Sequence, residues 1–214
     1  VAAHGEDLRY CYPWGKWLVW TGPHWHVDDM GEVKRRAKAV ARSMYAEAAL
    51  IEDTDLRIAS AKWARLSESE ARLYAMLASA ESEPGIPVLP DALDRDPWLL
   101  NTHNGTFPLR EGDALQPHDR ADMLTKMAGC AYDPHAKAPL WLAFLDRIFE
   151  GNQETISFVQ RAAGYSSTGD TSERCLFILH GSGRNGKTTF VETLAGVLGE
   201  YAKRIPTETF FAKR

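Results

Sequence analysis

The chain has little cysteine, no long apolar run and no excess of positive charge, and each shortage removes a class of function. Its three cysteines, Cys11, Cys130 and Cys175, are too few and too unevenly spaced for a disulfide framework or a CxxC zinc site. That usage fits a reducing cytoplasm. No apolar stretch approaches the ~20 residues of a membrane span, and no secretory signal precedes Gly5. A net charge of −4 argues against a broad basic surface that binds DNA unaided. Any nucleic-acid contact is then local, or assembled in an oligomer. Internal repeats and low-complexity tracts are also missing. With 214 residues, 44% hydrophobic and 25% charged, what remains is one or two globular domains of ordinary composition.

The most informative stretch present is residues 175–189, CLFILHGSGRNGKTT. Residues 175–179 are a short apolar run, predicted as a buried strand. Gly181, four further residues, Gly186, Lys187 and Thr188 then match the phosphate-binding pattern GxxxxGK[ST]. Beyond Lys187, Phe190, Leu194, Val197 and Leu198 recur at helical spacing. Phosphates carry negative charge, and the first N–H groups of a helix lack internal partners and point outward. Gly181, Gly183 and Gly186 let the backbone curl so that its amides converge, with no Cβ in the way. Asn185 completes the loop. Lys187 is expected to reach the β- and γ-phosphates of ATP or another nucleoside triphosphate, and the Thr188 hydroxyl to hold Mg²⁺. The bland alternative is a glycine turn ahead of an ordinary helix.

Phosphoryl transfer in this class also needs a second strand ending in an acidic residue, and an arginine aimed at the γ-phosphate. Residues 199–214 contain neither. The pattern therefore reads as the opening of an α/β P-loop NTPase unit, cut short within residues 173–214. A start at Val1 in place of Met fits a piece of a longer chain. The predicted consequence is that the chain alone does not turn over nucleotide.

Upstream, residues 1–166 read as a mainly helical domain with small β-hairpins and one core. Trp17 to Trp20 and His24 to Val27 flank Thr21-Gly22-Pro23, a hairpin around a tight turn. Its aromatics fit either a core or a base-stacking surface. His24 and His26 share one face without a third metal ligand nearby. Asp28 or Asp29 is placed to cap a long helix carrying Val33, Ala37, Val40, Ala41 and Met44 on one side. The first half of that helix holds Lys34, Arg35, Arg36, Lys38 and Arg42, which can touch DNA phosphates or simply form a solvated face. Helical stretches follow near 55–65 and 67–82, the second with a Ser67/Glu70 capping box. Residues 98–109 read as a second hairpin turning at His103-Asn104-Gly105, with Asn-Gly as the turn signal and Pro108 marking an edge strand. Two more helices carry Leu140, Trp141, Phe144, Leu145 and Ile148, then Ile156 and Val159. Residues 166–172, SSTGDTS, are the expected linker.

Taken together, these segments resemble the phage/plasmid and poxvirus type of primase-helicase, whose motor is a superfamily 3 helicase. The resemblance rests on the loop at 181–190, on residues 98–109, 132–145 and 158–165, and on the opening at 4–10 with the 20–25 hairpin. It implies a replicative, NTP-driven, DNA-unwinding protein that assembles into a ring, often a hexamer. Position by position, Gly181, Gly183, Asn185, Gly186, Lys187 and Thr188 carry over. Two other readings stay open. One is a non-enzymatic module that places a motor on DNA or a partner. The other is an unrelated small P-loop kinase or NTPase.

Overall fold

The computed structural model of the chain describes residues 1–110 and 114–210. They form two compact units, Val1–Leu93 and Asp94 onward. The division falls well before the linker predicted at 166–172.

In the first unit, strands β1 (Leu8–Cys11), β2 (Lys16–Trp20) and β3 (Trp25–Val27) form an antiparallel sheet in that order. The predicted hairpin is β2–β3, with Trp20 opposite Trp25. Both tryptophans are buried, and the Arg9 guanidinium lies over the Trp25 ring at 4.7 Å. These aromatics are therefore core, although Tyr12 and Trp14 stay exposed. Strand β1 went unpredicted because its four residues carry no alternation of their own. Its outer side is met by residues 86–88: the Tyr10 amide donates to the Ile86 carbonyl (2.7 Å), and the Val88 amide to the Tyr10 carbonyl (2.9 Å).

Helix α1 (Glu32–Ala49) starts where Asp28 accepts the amides of Glu32 (2.8 Å) and Val33 (2.9 Å). Asp28, not Asp29, thus satisfies two of the orphan donors of the first turn. Helix α2 (Thr54–Ser67) is capped by Asp53, which accepts from the Leu56 amide at 2.8 Å. Helix α3 (Glu70–Ala80) follows after two residues. The Ser67/Glu70 capping box does not form, because Ser67 is still inside the last turn of α2 and Ser69 takes the N-cap position. Leu8, Val19, Val33 and Ile86 make one core cluster and Ala37, Ala41 and Leu73 a second, with Leu77 packed against both.

The second unit opens on a hairpin, β4 (Leu99–Thr102) and β5 (Gly105–Pro108), with Thr102 opposite Gly105. The two turn residues are therefore His103 and Asn104, inside the expected turn, and Gly105 already belongs to β5. Gly105 is required for a different reason. It has φ +153°, and a Cβ there would lie 2.3 Å from the Gln116 carbonyl. Strand β5 is an edge of this two-stranded sheet, as Pro108 implied, and Thr106 alone exchanges two backbone bonds with Gln116 (2.8 and 2.9 Å) beyond it.

Helix α4 (Pro139–Ile148) ends before Gly151, and α5 (Gln153–Ser166) starts on Asn152, which accepts from the Thr155 amide at 3.0 Å. Helix α6 (Lys187–Leu198) completes the unit. Leu145, Ile156 and Phe190 form its buried centre, surrounded by Trp141, Phe144, Ile148, Phe149, Val159 and Leu194. A single core for residues 1–166 is thus replaced by separate cores in the two units, and the second includes α6.

The predicted strand at 175–179 is not formed. A strand needs a neighbouring edge for its amides and carbonyls, and none of the described residues supplies one. Leu176 (76% exposed) and Ile178 (81%) face water, while Phe177 packs edge-on against Phe158 of α5.

Candidate nucleotide-binding site

The glycine loop joins this extended segment to α6. Gly181 has φ +152° and Gly186 φ +83°, and Gly186 is the N-cap of α6. A Cβ at Gly181 would lie 2.2 Å from the Asn185 side-chain nitrogen. At φ +152° a side chain there is strained, and Asn185 would have to swing aside to admit one. The Lys187 ammonium turns back into this loop. It donates to Asn185 Oδ1 (2.7 Å), the Gly181 carbonyl (3.0 Å) and the Ser182 carbonyl (3.3 Å).

One concave turn thus carries a half-buried cation, the unpaired first amides of a helix, and the exposed Thr188 side chain one residue further on. Such an arrangement favours an anion carrying several oxygens. Gly183 lies in the exposed turn of the same loop, with nothing within 4 Å of where its Cβ would be. Gly181, Gly183, Asn185, Gly186, Lys187 and Thr188 therefore lie in one loop and the first turn of α6.

Two supports of this loop were not visible in the sequence. Gly186 lies against α4: a Cβ there would sit 2.8 Å from Ile148 Cγ2 and 3.1 Å from the Phe144 ring. The other end of α6 is tied to residues 126–129 and to the β4–β5 hairpin. The Gly129 amide donates to the Val197 carbonyl (2.9 Å), and the Glu200 amide to the Met127 carbonyl (3.0 Å). The Tyr201 hydroxyl accepts the Asn101 amide (3.1 Å) and donates to the Lys126 carbonyl (3.3 Å). Burial pushes the Tyr201 pKa up to about 12, so the donor proton is kept through the neutral range. Fully buried Asn101 reaches the Lys126 carbonyl (3.0 Å) and the His118 ring (2.9 Å) with its side chain.

Lys34, Arg35, Arg36 and Arg42 of the basic run on α1 are each paired with a carboxylate. Lys34 pairs with Glu70, Arg35 with Glu32 (2.9 Å), Arg36 with Glu32 (3.0 Å) and Asp7 (3.6 Å), and Arg42 with Glu68 (3.3 Å). The hydrogen bond from Lys34 pulls the Glu70 pKa down, with a smaller contribution from Lys38. A sequence window shows the cations of this helix and Glu32 beside them, but not Glu68, Glu70 and Asp7, which the fold brings across. His24 and His26 do meet, ring to ring at 3.8 Å. No group of three or more His, Cys, Asp or Glu side chains able to hold a metal ion occurs among the described residues. No helix among them is long and apolar enough to cross a membrane.

A sheet-and-helix unit followed by a hairpin and further helices occupies the chain up to the glycine loop, and it defines a domain of mixed α/β class. Residues 1–150 match the family model described as D5 N terminal like, and the chain belongs to that family. The family is the N-terminal part of primase-helicase proteins, which connects the chain to DNA replication. Comparison with curated proteins gives no match.

Proposed function

We propose that the chain is the N-terminal region of a replicative primase-helicase and that its glycine loop binds the phosphates of ATP, or of another nucleoside triphosphate, with Mg²⁺. The reading rests on one observation above all. The Lys187 ammonium is gathered into the loop by three oxygens, at the N-terminus of α6. An arriving phosphate replaces those oxygens as the partner of the cation, and charge-assisted contacts of this kind are the stronger ones. The first amides of α6 donate to the same oxygens, and the exposed Thr188 hydroxyl is free to reach the metal. The bound nucleotide supplies the phosphoanhydride, and Mg²⁺ neutralises its charge.

Membership of the D5 N terminal like family supports the replicative context, with DNA as partner and a ring, expected to be a hexamer, as the working assembly. Ion pairing along α1 argues for DNA contact through such an assembly and against Lys34, Arg35, Arg36, Lys38 and Arg42 acting as an isolated patch.

Equilibrium binding of a fluorescent ATP analogue, with and without Mg²⁺, tests the loop. Lys187→Ala is expected to weaken binding by about tenfold or more, the worth of one hydrogen bond to a charged group. Equal affinity of the variant and the unaltered chain refutes the assignment.

A further inference from the structure

We propose that Phe144 and Ile148 of α4 are positioning residues for the phosphate loop, an inference that rests on the nucleotide-binding reading above. Gly186 is both the N-cap of α6 and the last glycine of the loop, held in the left-handed region at φ +83°. Its α-carbon faces the wall of α4 so closely that an added methyl would meet Ile148 Cγ2 at 2.8 Å and Phe144 ring atoms at 3.1 and 3.2 Å. The wall is itself fixed. Trp141 stacks on Phe144 (centroids 5.4 Å apart) and on Phe190 of α6 (5.6 Å), so one aromatic column ties α4 to the first turn of the helix carrying the loop.

The direction in which α6 presents its first amides, and the place where Lys187 folds back, are thus set by two side chains about forty residues upstream. Neither is placed to touch a phosphate. Their effect on affinity comes through the backbone of Gly186, where a displacement well under an ångström already spoils convergent donors.

The experiment compares Phe144→Ala, Phe144→Leu, Ile148→Ala and Lys187→Ala with Ile156→Ala in the full chain. Ile156 shares the core but supplies none of the three atoms nearest to a Cβ at Gly186, so its truncation is the control for core loss. Two readouts are taken: affinity for the fluorescent ATP analogue, and loop exchange, meaning hydrogen exchange without nucleotide of the Phe190 amide, which bonds the Gly186 carbonyl at 2.9 Å, and of the amides in the turn after it. Phe144→Ala and Ile148→Ala are expected to weaken binding and speed exchange at the loop by about tenfold. Phe144→Leu, which keeps bulk beneath Gly186, recovers most of both, and Ile156→Ala leaves both near the unaltered values.

The positioning role is overturned if Ile156→Ala matches Phe144→Ala in loop exchange, or if none of the α4 variants changes it. It is equally overturned if Lys187→Ala weakens binding while the α4 variants bind normally. Failure of the phosphate-loop reading looks different. There Lys187→Ala leaves nucleotide binding unchanged, while exchange at Phe190 and the turn after it still separates Phe144→Ala from Ile156→Ala.

Discussion

Replacing Phe190 by alanine tests whether α6 belongs to the core of the second unit. The side chain is 8% exposed, stacks on Trp141 at 5.6 Å, and clusters with Leu145 and Ile156 from α4 and α5. Truncating a buried phenylalanine removes its transfer free energy and leaves a cavity, together about 3–5 kcal/mol. Of that, about 0.5–1.5 kcal/mol is the loss of the ring pair with Trp141. Phe190→Leu keeps most of the volume and should cost about 1–2 kcal/mol.

Val191 is the internal control. It is the next residue of the same helix but 47% exposed, so Val191→Ala should fall within about 0.5 kcal/mol of the unaltered chain. Urea unfolding followed by far-UV circular dichroism gives the free energies, and hydrogen exchange shows which unit loses protection. If Phe190→Ala costs no more than Val191→Ala, α6 is not packed on α4 and α5. The reasoning from this core then fails.

Three other expectations follow from the same structure. Tyr201→Phe should lose about 1–3 kcal/mol at neutral pH, because it removes the hydroxyl that accepts from the Asn101 amide and donates to the Lys126 carbonyl. The folded-state pKa of Tyr201, about 12, lies above the unfolded value near 10. Its linkage contribution is therefore complete below pH 10 and disappears as pH rises through 12. It amounts to less than ~3 kcal/mol after solvent screening, so the gap between the two proteins should narrow over that window. A gap that stays constant in urea midpoints from pH 9 to 12 contradicts the assignment. Asp53→Ala and Asn152→Ala each remove a cap acceptor and should cost about 0.5–2 kcal/mol by thermal denaturation, where no loss would show the caps to be idle. Because the cations of α1 are matched by acids, the monomer should bind oligonucleotides weakly, and anisotropy that stays high in ~0.5 M salt would argue against this.

Much of the local structure was legible in the residues. The Thr21-Gly22-Pro23 turn located β2 and β3, apolar spacing located the six helices, and the glycines located the loop. What escaped was everything decided by a distant partner. Residues 175–179 have the composition of a strand, but an edge to pair with comes from elsewhere in a fold. Strand β1 exists because β2 and residues 86–88 flank it. The Asn104-Gly105 signal found its hairpin, but that Gly105 pairs within β5, close against Gln116, was not visible in it. At the site, the loop glycines were visible as a pattern, whereas the wall formed by Phe144 and Ile148 looked like any other apolar helix face.

The exposed run at 175–179 bears on how the protein behaves in a test tube. It offers several consecutive apolar residues, an exposed thiol at Cys175, no proline and no charge, and its backbone pairs with none of the described residues. Segments of that kind add strands to one another when molecules meet. A net charge of −4 spread over 214 residues gives little long-range repulsion to prevent the encounter. Colloidal stability is therefore governed by five residues that contribute almost nothing to the folded cores. A lysine in place of Leu176 or Ile178, both pointing into water, should extend the usable concentration range without altering the unfolding curve.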